Sequence, residues 1–380
     1  MGTPTTDLGT ARRKEPVSTI MEAQARKKRP IRGAAIASVV VVALAAVASS
    51  YLWWNTNLLG ADSFCGGRME SGELEAALGS TGRVSEVRAD GDPRRPAFSC
   101  TVERTSRFVG GGDQRVTVRT HTEEGAFPFT THVWKNPASR SYFTGGLTGA
   151  VSEDFGGYVV LPTSCRDKVH GPQDDGVMTV VEAEVEKGTV DAAGLARLLT
   201  RSARQVAERA GCGAESLSAA PGLAAPSAPR TTDAQNVCGV PGFVLPKDAL
   251  VTSRAEPGQE QVNDASPGTW ACDLHLAGSA KAVVSFSATS DRNLVEASTK
   301  AWGGSATLPD DKGRAGVDEA VLHCADGDVH FATKENTDYH GALRAAGIRG
   351  LASVDVTKAT FQNFLDATAA AHACPRVTIP

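Results

Sequence analysis

The chain has 380 residues, enough for two ordinary domains, with Lys+Arg 39 against Asp+Glu 43 and a net charge of −4. The near balance hides a division: residues 1–32 hold eight basic groups against three acidic ones, so they carry +5 and the remainder −9. An acidic body argues against nucleic acid as a partner, because phosphate binding rests on a basic surface.

In chain order, residues 1–32 mix charge with Pro and Thr and are expected to form a disordered basic tail. Residues 33–54, "GAAIASVVVVALAAVASSYLWW", contain no charge. At about 1.5 Å per residue they are long enough to cross a hydrocarbon core of roughly 30 Å as one transmembrane helix. Basic residues flank the run only on its N-terminal side, which places that side in the cytoplasm. Tyr51, Trp53 and Trp54 stand at the far end, where amphipathic rings favour the membrane–water interface. The segment "AVA" at 46–48 matches a signal-peptidase site, but the long basic arm and the aromatic belt favour an uncleaved signal anchor. Residues 55–380 are then extracytoplasmic. No cysteine is placed for lipid attachment, since "ADSF" precedes Cys65.

All eight cysteines follow the apolar run: Cys65, Cys100, Cys165, Cys212, Cys238, Cys272, Cys324 and Cys374. An even count confined to the exported part reads as a disulfide framework. Successive gaps are 35, 65 and 47 in the first four and 34, 52 and 50 in the second, so one domain is expected twice. The flanking patterns agree. "AFSC" and "TWAC" each lead into alternating strands, "QRVTVRTHT" and "KAVVSFSAT". A short helix with Leu74, Ala77 and Leu78 on one face follows Cys65; prolines weaken its counterpart after Cys238. Each set closes with an amphipathic helix, carrying Leu195, Leu198, Leu199, Ala203 and Val206 in one case and Phe361, Phe364, Leu365 and Ala369 in the other.

Strands closed by a helix give an α+β class, each domain an antiparallel sheet with a C-terminal packing helix. The expected domains span 62–214 and 236–380, joined by an Ala/Pro/Ser linker at 215–235. Four cysteines allow three pairings and eight allow 105. Two separately folding copies keep the bonds within each set and repeat one pattern. Since the first cysteine precedes the sheet, the second lies in an early strand, the third ends a late strand and the fourth caps the closing helix, the expected pairs are Cys65–Cys100 with Cys165–Cys212, and Cys238–Cys272 with Cys324–Cys374.

The entry "FCGGRMESGELEAALG" followed by "AFSC" resembles a family of actinobacterial envelope domains of unknown function. In that family a cysteine before a short helix pairs with one in an early strand. The resemblance is best over 62–104 and thinner over 236–276, where the helix-poor start departs from it. It implies an envelope-facing binding or sensory role.

Motifs for chemistry are few. There is no Gly-x-Ser-x-Gly elbow, no Ser-x-x-Lys and no His-Glu-x-x-His, so the chain is read as not an enzyme. His323, His330 and His340 crowd around Cys324, but their spacing matches no helical ligand pair, and no metal or cofactor is expected. The "ADGD" segments at 89–92 and 325–328 read as hairpin turns rather than calcium loops. Trp270 is expected in the core beside Cys272. Trp134 and Trp302 are the candidates for exposed aromatics in a ligand groove.

Three function classes remain. The first is a single-pass cell-membrane protein whose extracytoplasmic body binds or senses an envelope protein or cell-wall ligand. The second is a structural or accessory subunit of an envelope complex, since small residues in the apolar run permit close helix approach. The third is an enzyme with an unrecognised site.

Overall fold

The computed structural model describes residues 18–57, 60–79, 82–92, 94–106, 112–127, 131–217, 222–249, 257–266, 268–276, 281–301 and 305–380. Helix α1 (Ser18–Asn55) contains one stretch, Ile36–Asn55, long and apolar enough to cross a membrane; its mean hydropathy is 2.1 and its apolar window is exposed throughout. The helix begins at Ser18, so part of the basic segment expected to be disordered is helical, while residues 1–17 lie outside the described residues.

The first half begins with a two-residue ladder, β1 (Ser63–Phe64) and β2 (Met69–Glu70), then α2 (Ser71–Leu78). The meander β3 (Arg83–Asp90), β4 (Ser99–Thr105) and β5 (Gln114–Glu124) follows. After it come β6 (Ser141–Thr144), β7 (Gly149–Ser152), β8 (Gly156–Val160), α3 (Arg166–His170), β9 (Val177–Lys187) and α4 (Ala192–Ala210). From one edge the sheet runs β3-β4-β5-β9-β8-β7-β6, all antiparallel.

Residues 215–235, expected as a linker, are not free of the sheets. Within them, β10 (Gly222–Ala224) pairs with β6 of the first sheet. Strand β11 (Arg230–Thr231) then pairs with β12 (Pro257–Asn263) of the second.

The second half continues with β13 (Thr269–Leu276), β14 (Ala282–Thr289), α5 (Arg292–Ala301), β15 (Ala306–Thr307), β16 (Gly313–Ala315), β17 (Glu319–Cys324) and β18 (Gly327–Glu335). Helices α6 (Thr337–Ala345) and α7 (Leu351–Thr368) close it. Its sheet runs β12-β13-β14-β18-β17-β16-β15, which repeats the first order strand for strand. In both, the last strand inserts beside the third and the chain then returns through a long helix.

The four disulfides are Cys65–Cys100, Cys165–Cys212, Cys238–Cys272 and Cys324–Cys374. The local geometry repeats with them. Cys65 and Cys238 both take positive φ, 59° and 62°, and both donate their backbone N–H to a glutamate on the first meander strand. The acceptors are Glu86 Oε2 and Glu260 Oε2, each at 2.7 Å. At the far end, Cys212 N donates to Ala207 O and Cys374 N to Ala369 O, both at 2.9 Å. These i+5→i bonds cap the closing helices through a left-handed residue, Gly211 at φ 63° and Ala373 at φ 52°.

Each sheet buries one face under its own helix. Val116, Val118, Val159 and Val181 meet Leu195, Leu199 and Val206 of α4. Phe286 and Phe331 meet Phe361, Phe364 and Leu365 of α7. Trp270 stacks on Phe364 at 5.6 Å. The faces turned away from the helices share a third core, in which Tyr142, Ala150, Tyr158, Val160 and Val180 meet Ala271 and Ala332. The layers are therefore helix, sheet, sheet, helix. This is why β14, expected to alternate, is buried at every position.

Glu260 is 1% exposed and also accepts Arg230 Nε at 2.7 Å, whereas Glu86 is exposed. Glu260→Gln would keep one acceptor and turn an amide N–H toward the other donor. It should cost about 1–3 kcal/mol, and Glu86→Gln about 1 or less, read from urea unfolding midpoints. Ala373→Gly should stabilise the chain by about 1 kcal/mol in the same assay, because it relieves a left-handed alanine.

Candidate functional site

The third core is closed by two segments that cross between the sheets. One is the stretch from β5 to β6, which carries a short 3-10 turn at Pro137–Ser139. It packs on the second sheet: Ala138 N donates to Asp273 Oδ2 at 3.0 Å. The other is α5, which leans on β5 and β9 of the first sheet. Ser298 Oγ of α5 donates to Gly125 O at 2.7 Å. The approach is too close for side chains, since a Cβ on Gly125 would lie 2.3 Å from the Ala297 carbonyl carbon, and one on Gly176 2.3 Å from Ala301 N. Beside α5, a solvent-open cleft of about 700 Å³ is lined by Tyr142, Thr148, Tyr158, Thr269, Asp291 and Leu294. There Thr148 Oγ1 donates to Asp291 at 2.7 Å, and Asn293 Nδ2 donates to Thr148 Oγ1 at 2.8 Å.

Trp134, expected to be exposed in a groove, is buried at 2% in this seam. It lies against Phe127 at 5.1 Å and His330 at 5.9 Å between ring centroids. Its burial depends on the other half of the chain, which a local reading cannot see. Trp302 lies outside the described residues. His323, His330 and His340 are not brought together: they pair separately with Asp328, Glu319 and Glu335. The "ADGD" at 325–328 is a hairpin turn, with Cys324 opposite Gly327. The one at 89–92 opens a longer loop, since Asp90 pairs with Ser99. The close group Cys65, Glu86 and Cys100 offers no thiolate, because its sulfurs are bonded to each other.

The densest set of titratable groups was not foreseen. It lies on the inner face of the first sheet where the second sheet does not cover it. In the β5–β9 register Arg119 stands opposite Glu182 and His121 opposite Val180, so alternate residues of β5 point with Glu182 toward one spot. Glu182 is 2% exposed and Glu123 5%. Arg119 Nε donates to Glu182 Oε2 at 3.0 Å. His121 places Nε2 2.6 Å from Glu123 Oε1 and Nδ1 3.3 Å from Glu182 Oε2. His132, from the β5–β6 segment, reaches over and contacts Glu182 Oε1 through Nδ1. Burial pushes the Glu182 carboxyl up, but His132, His121 and Arg119 outweigh it and hold the group below the ordinary glutamate range. Two histidines, two buried carboxylates and one guanidinium can share protons or hold a cation. The sequence signal for this set was only the inward alternation Arg119, His121, Glu123, which reads as a solvated strand face.

Comparison with family models, with curated proteins and with solved structures gives no match to this chain.

Asp273, which seats the crossing segment, is fully buried. Burial raises its carboxyl from 3.8 to about 7, against the opposing hydrogen bonds of Ser285 and Ala138 N and the charge of Arg140. Below about pH 4 the group is protonated folded or unfolded; between there and pH 7 only the folded chain keeps the proton. Stability should therefore fall as pH rises through that window, by up to about 4 kcal/mol. Glu335, also raised to about 7 by burial, acts in the same direction. Asp273→Asn, whose amide can donate to Ser285 and accept from Ala138, should flatten the curve without abolishing the Glu335 part. Thermal unfolding of both chains between pH 4 and 8 checks this.

Proposed function

We propose that this chain is a single-pass membrane-anchored protein of the cell envelope, with a cytoplasmic N-terminus and an extracytoplasmic body built from two copies of one domain that binds or senses a ligand. The observation that carries the reading is the join between anchor and body. The apolar helix α1 is not tethered by a loose strap but docks on the first sheet at its edge. The Arg83 guanidinium lies over the Trp53 ring at 4.0 Å. Ser106 Oγ donates to Asn55 Oδ1 at 3.1 Å, and Asn55 is 2% exposed. Trp53 and Asn55 both lie beyond 46–48 and would stay with the body after cleavage there. The contacts support a body held at a fixed attitude to the end of the helix, and the basic arm before the apolar run, with the aromatic residues at its far end, supports an uncleaved anchor.

The disulfides support an oxidising location for the body. The matched strand order, the paired Cys–Glu contacts and the matched helix caps support duplication of one domain. The Glu182 cluster, on a face left open by the second copy, supports binding rather than a purely structural role.

Because all eight cysteines are paired, an added cysteine reports its own exposure. Thr3→Cys and Ala352→Cys, made separately, should behave oppositely toward a membrane-impermeant maleimide on intact cells. Labelling is expected at position 352 and absent at position 3 until the membrane is broken. Labelling of position 3 on intact cells, or recovery of a body lacking residues 1–48, would overturn the anchored topology.

A further inference from the structure

The corner where α1 meets the first sheet brings a cation to the depth of lipid headgroups and gives it no anion. The apolar stretch Ile36–Asn55 has 20 residues, which at about 1.5 Å each fill a hydrocarbon core of roughly 30 Å. Trp53 stands near the end of that stretch, so its ring lies where hydrocarbon gives way to headgroups. The Arg83 guanidinium rests on the ring at 4.0 Å and shares its depth.

The corner is held in place from several sides. Ser106, just after β4, bonds to Asn55, and Asn57 Nδ2 donates to Ser71 Oγ at the start of α2. Arg83 stands opposite Thr105 in the β3–β4 register. Next to it the chain passes so near β4 that a Cβ on Gly82 would lie 2.7 Å from Thr105 O. The Arg83 backbone is thus fixed relative to the last turn of α1, and the stacked ring limits where its side chain points.

What the guanidinium lacks is an acceptor. Other arginines of this sheet each reach a carboxylate: Arg88 reaches Asp90 at 2.6 Å, Arg115 Glu103 at 3.2 Å and Arg119 Glu182 at 3.0 Å. Among the described residues Arg83 makes no ion pair and no hydrogen bond, and its Nη1 is buried without a partner. The Trp53 ring occupies a face of the cation, whereas the N–H groups lie in the guanidinium plane and point outward from its edge. A buried donor with no acceptor is unfavourable, and a phosphate presents two oxygens at the spacing of the guanidinium fork.

We infer that Arg83, stacked on Trp53, is a binding site for the phosphate of one phospholipid in the leaflet next to the body. The bond holds the start of β3 against the bilayer, so it sets the attitude of the body as well as its attachment. This rests on the anchored reading of α1 and deepens it by naming what the body-side end of the anchor binds.

The test uses the full chain in maltoside micelles, which carry no phosphate. Because the native cysteines are all paired, Ser85→Cys takes a single fluorophore, two residues along β3 and on the same side of the strand as Arg83. Titration with a phosphatidylcholine bearing a headgroup nitroxide should quench the fluorophore saturably, at one lipid per chain. Unlabelled phosphatidylglycerol should reverse the quenching; digalactosyl diglyceride, which has no phosphate, should not. Arg83→Gln should weaken lipid binding about 10-fold or more, and Arg83→Lys, which keeps the charge but loses the fork, by less. Trp53→Leu should also weaken it, while Arg88→Gln, from the pair with Asp90, should change nothing. Thermal unfolding of each variant separates loss of the site from loss of the fold. The inference is overturned if quenching does not saturate, if the glycolipid competes as well as phosphatidylglycerol, or if a folded Arg83→Gln chain binds as before. Reversal by millimolar inorganic phosphate alone overturns it too, since the site would then take free phosphate. A micelle has no inner side, so a failed titration strikes the lipid site alone, and failed labelling at position 352 strikes the topology alone.

Discussion

Two sheets, each already covered on one face by its own helix, meet across second faces that are only partly apolar. Ala271, Ala332 and Val180 can close the seam by contact alone, but Asp273, Ser285 and Thr289 lie in or beside it with almost no exposure. Buried polar groups of this kind cost several kcal/mol unless their hydrogen bonds are made. Asp273 makes them to Ser285 and to Ala138 N, and the second bond fixes the course of the segment between β5 and β6. The same segment carries His132 to Glu182 and Trp134 to His330. The candidate site is thus shaped by a contact made on the other sheet.

What the sequence discloses follows from the range of each interaction. The closing helices are legible because a 3.6-residue period is local: Leu195, Leu198 and Leu199 line one face of α4 whatever lies beneath. The cysteine pairing is legible because the spacing repeats and both halves place their cysteines at matching points of strand and helix. Gly79 after α2 and Gly211 after α4 mark the ends of those helices through their left-handed caps. The seam is not legible. Alternation in β14 is a pattern for one buried face, and a second sheet erases the polar side by burying it too. Trp134 is misjudged for the same reason, since its neighbour His330 comes from the far half of the chain. Residues 215–235 lack any period because their short strands, β10 and β11, take their pairing from sheet edges built elsewhere.

Equal strand order has not given the two halves equal surfaces. In the second half, Ser287, Thr289 and Ala332 keep the inner face low, which lets α5 and the crossing segment settle on it. In the first half, Arg119, His121 and Glu182, at the same places in the strand order, stand on a face where the second sheet does not cover them. Filling that face with charge keeps the second sheet from sliding across, because desolvating those groups would exceed what the small residues opposite could return. The charges therefore act on the packing even before any ligand is considered: they limit the overlap of the sheets and keep the site open.

The same limit connects the site with the helix α1. Trp53 and Asn55 rest against the β3 edge, and Glu182 lies on β9, three strands inward. At about 4.8 Å per strand the separation is roughly 15 Å across one continuous antiparallel sheet. A hydrogen-bonded sheet of this width does not bend far, so an event at Glu182 has little purchase on α1 through the strands themselves. The segment between β5 and β6 is different. It touches the cluster through His132 and the second half of the chain through Ala138 and Trp134, so the geometry of the cluster and that of the seam meet in this one segment.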